Sequence, residues 1–408
     1  MGADAELATA PLPGPREPPL AGINVLDISR VLAGPYATMV LGDLGANVIK
    51  VERPGVGDDT RDWGPPFVGP QGQQETTYFL SANRSKRSIT LDLKDEDDRV
   101  LFDRMLLWAD VLVENFRPGV MDRLGLTAEN LERINPELIV LTITGFGSSG
   151  PDRDRVAYDQ ILQAEAGLMS VTGNPPADLL RVGVPIADLT AGLFGIIGVL
   201  AALYERVRSG RGQRVETSLL AGQIAIHVFQ GTGYLVAGEV PGPTGNHHPT
   251  VAPYGSFRAA DGQIILAVGN ELTWRRFADL LAIPADSAAF AGNESRVANR
   301  DELQAQIEQR LAARNVSEWI TLFAEHGVPA GEVKTLDRVY RGEQVRQQGL
   351  VLEVDHSTLG RISLPGRPLR FDGSPLVAPL APPVLGEHSD ELRAHFQVAA
   401  DAASQRAG

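Results

Sequence analysis

Asp188 is the only carboxylate in the stretch "RVGVPIADLTAG" (181–192), and the chain changes character around it. The residues before it read as a buried strand. Those after it, "LTAGLFGIIGVLAALYERVRSG", read as a helix that stays apolar for about four turns before a charge appears. An ionisable group at such a junction has two compatible readings. Asp is a preferred helix N-cap, and capping alone stabilises by about 1 kcal/mol. A carboxylate kept ionised by free helix amides, yet poorly hydrated, is also a competent nucleophile towards an activated acyl group, and nearby amides can hold the developing oxyanion.

The second chemical signal is positive charge. With 37 Lys and Arg against 51 Asp and Glu, the formal net charge is −14, which excludes a general binder of nucleic acid or anionic membrane. Any anionic ligand must therefore be met by a local basic cluster. "NRSKRS" (83–88) supplies Arg84, Lys86 and Arg87, with Lys94 close behind; alone, this segment reads more readily as a solvated loop before a strand. Arg53 follows one strand, and "ENFRPG" (114–119), with Asn115 and Arg117, follows another. In a parallel sheet these loops share one edge, which predicts a site for a phosphorylated ligand.

Other motifs carry less. "GFGSSG" (145–150) matches G-x-G-x-x-G, but Pro151 and "DRDR" follow it instead of a helix, so it reads as a glycine-rich turn. His247 and His248 are adjacent in a Gly/Pro loop without a partner at ligand spacing, so no metal is expected there. The sequence has no cysteine, which excludes disulfides and thiolate catalysis and fits a reducing cytoplasm.

The elements that must position these groups follow from the pattern. Strands are expected at 22–29, 46–54, 88–93, 110–116 and 138–146, with helices at 35–45, near 95–108 and near 127–134. This alternation predicts an α/β fold with a largely parallel sheet and helices on both faces. The apolar run 189–204 is short for a membrane span and reads as a buried helix of a soluble protein. A strand and a long helix follow near 214–237. Beyond the Gly/Pro-rich segment 239–257, a strand at 262–269 and helices near 272–282, 301–313 and 316–326 suggest a smaller α+β domain. The expected organisation is a disordered lead-in at 1–20, a large domain at 21–225, a small domain at 226–329 and a return to the large domain at 330–408.

Across residues 22–396 the chain resembles the family III CoA-transferases, the group of formyl-CoA transferase and the CaiB/BaiF proteins. The segments that carry the resemblance are "GINVLDISRVLAGPYA", "LGDLGANVIKVERPGVGDDTR", "NRSKRSITLDLK", "ADVLVENFRPG", "VPIADLTAG", "SGRGQRVETSLL", "GNHHPTVAPYGSF", "GVPAGEV" and "LGEHSDEL", all in order. The resemblance implies a Rossmann-like large domain built from both chain ends, a small inserted domain and an interlocked homodimer. It puts the catalytic aspartate at Asp188. That residue would attack an acyl-CoA to give a mixed anhydride, then an aspartyl-CoA thioester, which an acceptor carboxylate resolves. Coenzyme A enters as the acyl-CoA substrate, and no metal is implied.

The positions the resemblance assigns to CoA are Leu32, Ala33, Arg53, Leu91 to Lys94, Asn115, Phe116, Arg117, Arg123, Val156, Ala157, Tyr158 and Asp159, with Arg53, Lys94 and Arg123 meeting phosphates. Leu32 and Val156 replace the glutamine and lysine of formyl-CoA transferase, with Arg155 available beside the latter, and "GNHHPT" replaces its glycine-rich lid. Oxalate and formate are therefore not the expected substrates. Tyr158 and the 245–250 loop would shape the acyl pocket, and His247 and His248 would hold a second carboxylate of a substrate such as succinate. Two alternatives stay open at this stage. One is an α-methylacyl-CoA racemase-like enzyme, whose histidine is replaced here by Tyr158, a poor base near neutral pH. The other is a catalytically silent CoA-binding protein.

Overall fold

The structure, a computed structural model, describes residues 17–176, 178–371, 376 and 378–397. Most of the expected lead-in lies outside these residues. Its last part does not behave as a lead-in: Leu20 is buried, and its amide donates to the Leu44 carbonyl at 3.0 Å. The chain separates into two compact units. The first comprises the described residues up to Ala166, Gly183–Val228 and those from Arg346 onward; the second comprises Gly167–Val182 and Phe229–Val345.

Six parallel strands form the sheet of the first unit: β1 (Asn24–Asp27), β2 (Asn47–Glu52), β3 (Lys86–Thr90), β4 (Val111–Glu114), β5 (Ile139–Thr144) and β6 (Arg214–Ser218). Their spatial order is 3-2-1-4-5-6, that of a doubly wound nucleotide-binding sheet. Register is fixed by Val25 opposite Val48 on one side and Val111 on the other. Alternate residues face opposite layers, so each strand must be apolar on both faces. Val25, Val48, Val113, Leu141 and Ile143 pack under helices α1 (Ala33–Asp43) and, later in the chain, Ile186–Ser209. Leu26, Ile49, Ile89, Leu112 and Val140 pack on the other side, against α2 (Glu96–Trp108) through Leu101, Phe102, Met105 and Leu106. The outer edge of β3 is covered by the C-terminal segment. His388 N–H donates to Ser88 O (3.0 Å), Thr90 N–H to Ser389 Oγ (3.1 Å) and Gly386 N–H to Ser88 Oγ (2.9 Å).

Helix α3 (Asp159–Glu165) precedes α4 (Ile186–Ser209), which is longer than the 189–204 run suggests and begins before Asp188 rather than after it. By length and apolarity α4 is sufficient to cross a membrane, and half of that stretch is buried in the protein. Gly192 lets α4 approach α1 closely, since a Cβ there would sit 2.8 Å from the Ala33 carbonyl oxygen. The single long helix expected after β6 is two, α5 (Leu219–Ala225) and α6 (Val228–Ala237), broken where Val228 adopts a φ of +43°. A β-branched residue in that region cannot continue a right-handed helix.

In the second unit an antiparallel sheet, β7 (Tyr254–Arg258), β8 (Gln263–Ala267) and β9 (Ala330–Glu332), packs with helices α7 (Glu271–Leu281), α8 (Asn293–Ala298), α9 (Arg300–Leu311) and α10 (Val316–Glu325). Trp274, Phe277, Phe290, Trp319 and Phe323 fill its core. Strand β9 lies in "GVPAGEV" and pairs within this sheet, so the chain returns to the first unit at Arg346 rather than at 330.

Candidate active site

The strand order reverses between β1 and β4, and open sheets of this kind bind ligands beyond the carboxyl ends of the strands at such a point. A cavity of about 450 Å³ opens there. It is lined by Arg30, Val31 and Ala33 after β1, Asn115, Phe116 and Arg117 after β4, Gly145 after β5, and Arg153, Arg155, Val156, Ala157, Tyr158 and Asp188. Of the positions expected to meet CoA, this cavity thus gathers Ala33, Asn115 to Arg117 and Val156 to Tyr158 around Asp188. "GFGSSG" forms the expected turn.

Asp188 does not cap its helix. Pro185 occupies the N-cap without a side-chain cap bond, which puts Asp188 in the first turn. The capping acceptor comes from another element: Asp159 Oδ1, at the start of α3, takes the N–H of Ala187 at 2.7 Å and of Asp188 at 3.4 Å. Asp159 Oδ2 accepts from Gln163 Nε2 at 2.6 Å, which fixes its own orientation. These two amides are therefore engaged and do not serve a developing oxyanion. Asp188 is half-buried, and its carboxylate has no hydrogen-bond partner among the described residues. Burial, with the negative charge of Asp159 adding to it, pushes its pKa up to about 7. The expectation that the helix start keeps this group ionised fails, because burial and the like charge of Asp159 raise its pKa.

Two aromatic residues that carry no sequence signal lie beside one another here, and one of them, Tyr78, feels the charge of this carboxylate. The Tyr78 hydroxyl is pushed up to about 12 by burial, with Asp188 and Asp159 contributing, so it stays a hydrogen-bond donor across the neutral range. Trp63 meets Tyr78 edge-on (5.3 Å between ring centroids) and leans towards Tyr158 (6.2 Å).

The loop after β1 is held in an unusual conformation. Val31 has a φ of +70°, an outlier for a β-branched residue that costs on the order of 1–3 kcal/mol. Its N–H donates to both oxygens of buried Asp58 at 3.2 Å. The neighbouring Arg30 is pinned by Asn115, whose Oδ1 accepts from Arg30 N (2.8 Å) and whose Nδ2 donates to Arg30 O (2.6 Å). Lys50, buried beneath, bridges Asp58 Oδ2 and the Ser29 carbonyl, both at 2.9 Å.

A second cavity of about 240 Å³ brings together Arg53, Leu91, Asp92, Leu93, Lys94, Phe116 and Val120. Arg53 and Arg30 both pair with Asp59, at 3.1 and 3.2 Å. Leu32 is buried at the N-cap of α1, and Arg123 ends a short helix (Val120–Arg123) outside the lining of both cavities. Arg155 pairs with Glu165 (2.6 Å) and lies over the Phe146 ring (4.4 Å).

The "NRSKRS" cluster is not a phosphate site. Strand β3 starts at Lys86, two residues earlier than the pattern suggests, and this carries the charges inward. Arg84 pairs with Asp43 through Nη2 at 2.6 Å and through Nε at 3.1 Å. Lys86 Nζ is satisfied by Asp27 (3.0 Å), the Pro35 carbonyl (2.8 Å) and Asn83 Oδ1 (2.8 Å), and Arg87 pairs with Glu391 (3.1 Å). Buried charge has to be paired, and these pairs leave little for a ligand.

His247 and His248 belong to the second unit. The His248 ring stacks on Phe229 (5.7 Å) and tilts against Tyr254 (5.2 Å), while His247 meets Phe257 edge-on (5.7 Å). Burial, with Arg300 adding to it, holds the His247 pKa below the usual histidine range. Among the described residues, no group of three or more His, Asp or Glu has the arrangement of a metal site.

Comparison with known proteins agrees in kind with this site. A family model described as CoA-transferase family III matches residues 20–389. A succinyl-CoA:glutarate CoA-transferase of Mus musculus is 40% identical over 376 residues, covering 92% of this chain and 85% of that protein. A succinate–glutarate CoA-transferase of Agrobacterium fabrum is 40% identical, covering 94% of this chain and 96% of that protein. The crystal structure of a CaiB/BaiF family protein from Brucella suis is 39% identical and superposes with a TM-score of 0.84, over 93% of this chain and 100% of that one. An Asp-bearing cavity at the switch point of a six-stranded parallel sheet and a family match over nearly the whole chain lead to one conclusion: this chain belongs to CoA-transferase family III and is a CoA-transferase.

Proposed function

We propose that the enzyme moves CoA from an acyl-CoA donor of the succinyl-CoA kind to a dicarboxylic acid, with Asp188 as the covalent nucleophile. The observation that carries this reading is the Asp188 carboxylate, unpartnered among the described residues, in a cavity that also holds Arg117, which has no ion pair among the described residues, and Arg30, Arg153 and Arg155, which pair at the surface with Asp59, Asp154 and Glu165. Two of the relatives are named for succinyl and glutarate substrates, and an arginine-lined cavity suits a second carboxylate.

The ionised carboxylate attacks the thioester carbonyl, forming an anhydride bond and releasing CoA thiolate. The thiolate then attacks the Asp188 carbonyl, so the donor acid leaves and an aspartyl-CoA thioester remains. The acceptor carboxylate attacks that thioester to give a second anhydride. The thiolate returns to the acceptor acyl carbon, and free Asp188 carboxylate is regenerated. CoA would be held by the loops after β1, β2, β3 and β4, including Arg53 and Lys94.

Attack requires ionised Asp188, so the first step is expected to gain rate as pH rises through about 7. Incubation with succinyl-CoA followed by hydroxylamine should convert Asp188 to its hydroxamate, with a trapping rate that follows this limb. Replacing Asp159 with Asn removes the like charge and should move the limb to lower pH. Absence of an adduct at Asp188 during productive turnover would sink the mechanism.

We also infer a homodimer. Leu193, Ile197, Leu200, Tyr204 and Val207 form an apolar stripe along α4 at helical spacing, and all are exposed in the single chain. Sedimentation velocity is expected to give twice the chain mass of 43.7 kDa, and a monomer at micromolar concentration would refute this.

A further inference from the structure

We propose that Asp58, anchored by Lys50, is a positioning residue for acyl transfer, holding Val31 in its left-handed conformation so that the 30–33 backbone faces the Asp188 cavity. This rests on the reading of that cavity as the transfer site. Val31 and Ala33 line it directly, while Asp58 and Lys50 lie outside its lining and border the neighbouring cavity of about 240 Å³ instead. Asp58 acts from beneath: both of its oxygens accept from Val31 N–H, and Oδ1 also accepts from Thr60 N (2.9 Å) and Thr60 Oγ1 (2.8 Å).

The arrangement has a direction. Lys50 comes from β2 in the sheet core, so its position is set by strand register, with Lys50 paired opposite Asp27. Its ammonium fixes Asp58 and the Ser29 carbonyl together, and Asp58 in turn fixes the strained residue. A valine would leave φ +70° if released, because that region is disfavoured for a β-branched side chain. The residue after it is the N-cap of α1, so release of Val31 shifts the start of the helix against which α4, the carrier of Asp188, is packed. Burial opposes ionisation of Asp58, but Lys50 and the Thr60 donors outweigh it and hold its carboxyl below the usual range.

The test is a double-mutant comparison in the succinyl-CoA:glutarate exchange assay. Asp58→Asn should lower kcat about 10- to 100-fold, as expected when reacting groups are displaced, with a smaller change in KM for succinyl-CoA. The acid limb near pH 7 should stay in place, which separates a positioning role from an electrostatic one. Glycine adopts positive φ without strain, so in a Val31→Gly parent the same substitution should cost less than about threefold relative to that parent. If Asp58→Asn does not fold, the pair Asp58→Leu with Lys50→Met removes both buried charges together and should show the same loss and the same relief. Unchanged kcat in the folded variant, or equal losses with and without the Val31→Gly substitution, would overturn the proposal. Asp188→Asn in the same assay keeps the two readings apart, since activity retained there overturns the cavity assignment itself.

Discussion

Replacing Asp188 with Asn is expected to abolish CoA transfer, with turnover falling by at least about 10³-fold, and at the same time to stabilise the protein above pH 7. The loss follows from removing the nucleophile, because an amide cannot form the anhydride. The gain in stability follows from the raised pKa. The ordinary carboxyl value is 3.8, and the folded protein holds Asp188 near 7, so the folded state binds this proton more tightly than the unfolded chain. Near pH 4 the group is neutral in the folded state and asparagine brings no advantage. As pH rises from there to about 7, the unfolded chain gives up this proton while the folded protein still holds it, which erodes stability, and the variant escapes this. At pH 8 the difference should reach roughly 1–3 kcal/mol, less than the full shift implies because the group is open to the cavity. Urea denaturation at pH 5 and pH 8 checks it. Equal stabilities at both values would show that Asp188 ionises without cost.

The largest effect on stability is expected at the opposite end of the β1 loop. Asp27→Ala should destabilise the first unit by about 3–5 kcal/mol at pH 7, as measured by denaturant unfolding. Asp27 and Lys86 are both fully buried and 3.0 Å apart, and Asp27 also accepts from Thr38 Oγ1 at 2.6 Å and from Ser29 N at 3.0 Å. Burial opposes the charge on Asp27, but Lys86 and Lys50 outweigh it and bring its carboxyl down to about 2. Burial pushes the Lys86 ammonium down to about 8 despite the attraction of Asp27. The pair is thus ionised at neutral pH, and truncating the acid strands an ammonium in the core. The contribution of Asp27 is present above about pH 4 and is lost as pH falls through about 2. Replacing both partners, Asp27→Leu with Lys86→Met, should cost less than Asp27→Ala alone. A cost below about 1 kcal/mol for the single variant would rule out the pair as a structural anchor.

Much of this architecture is readable from the chain itself. Strands buried on both faces show as Val/Ile/Leu runs, and the junction at Asp188 stands out because a charge interrupts an apolar stretch. The site loops could be placed at one edge because a parallel sheet puts them there. What failed was pairing at a distance. Pro185 was a local sign that the helix begins before Asp188, since proline favours helix starts, but the acceptor that caps it is Asp159, 28 residues away from the Ala187 amide. Arg84 and Lys86 look like a ligand cluster until Asp43 and Asp27 are found opposite them, 41 and 59 residues earlier. Val31, Lys50 and Asp58 give no signal, because neither backbone strain nor its support has a composition. Sequence pattern registers burial and turn chemistry, whereas a pKa near 7 at Asp188 depends on which charges the fold brings beside it.

The covering of strand β3 by the C-terminal segment bears on how the protein is made. Ser88 and His388 are 300 residues apart, so the groups that close this edge leave the ribosome long after the strand itself. At about 5–20 residues per second the interval is roughly 15–60 s. Throughout that time a strand with open donors and acceptors is a template for pairing with another chain. The segment around His388 therefore closes an edge made some 300 residues earlier, and a chain cut short before it would leave that edge of the sheet open.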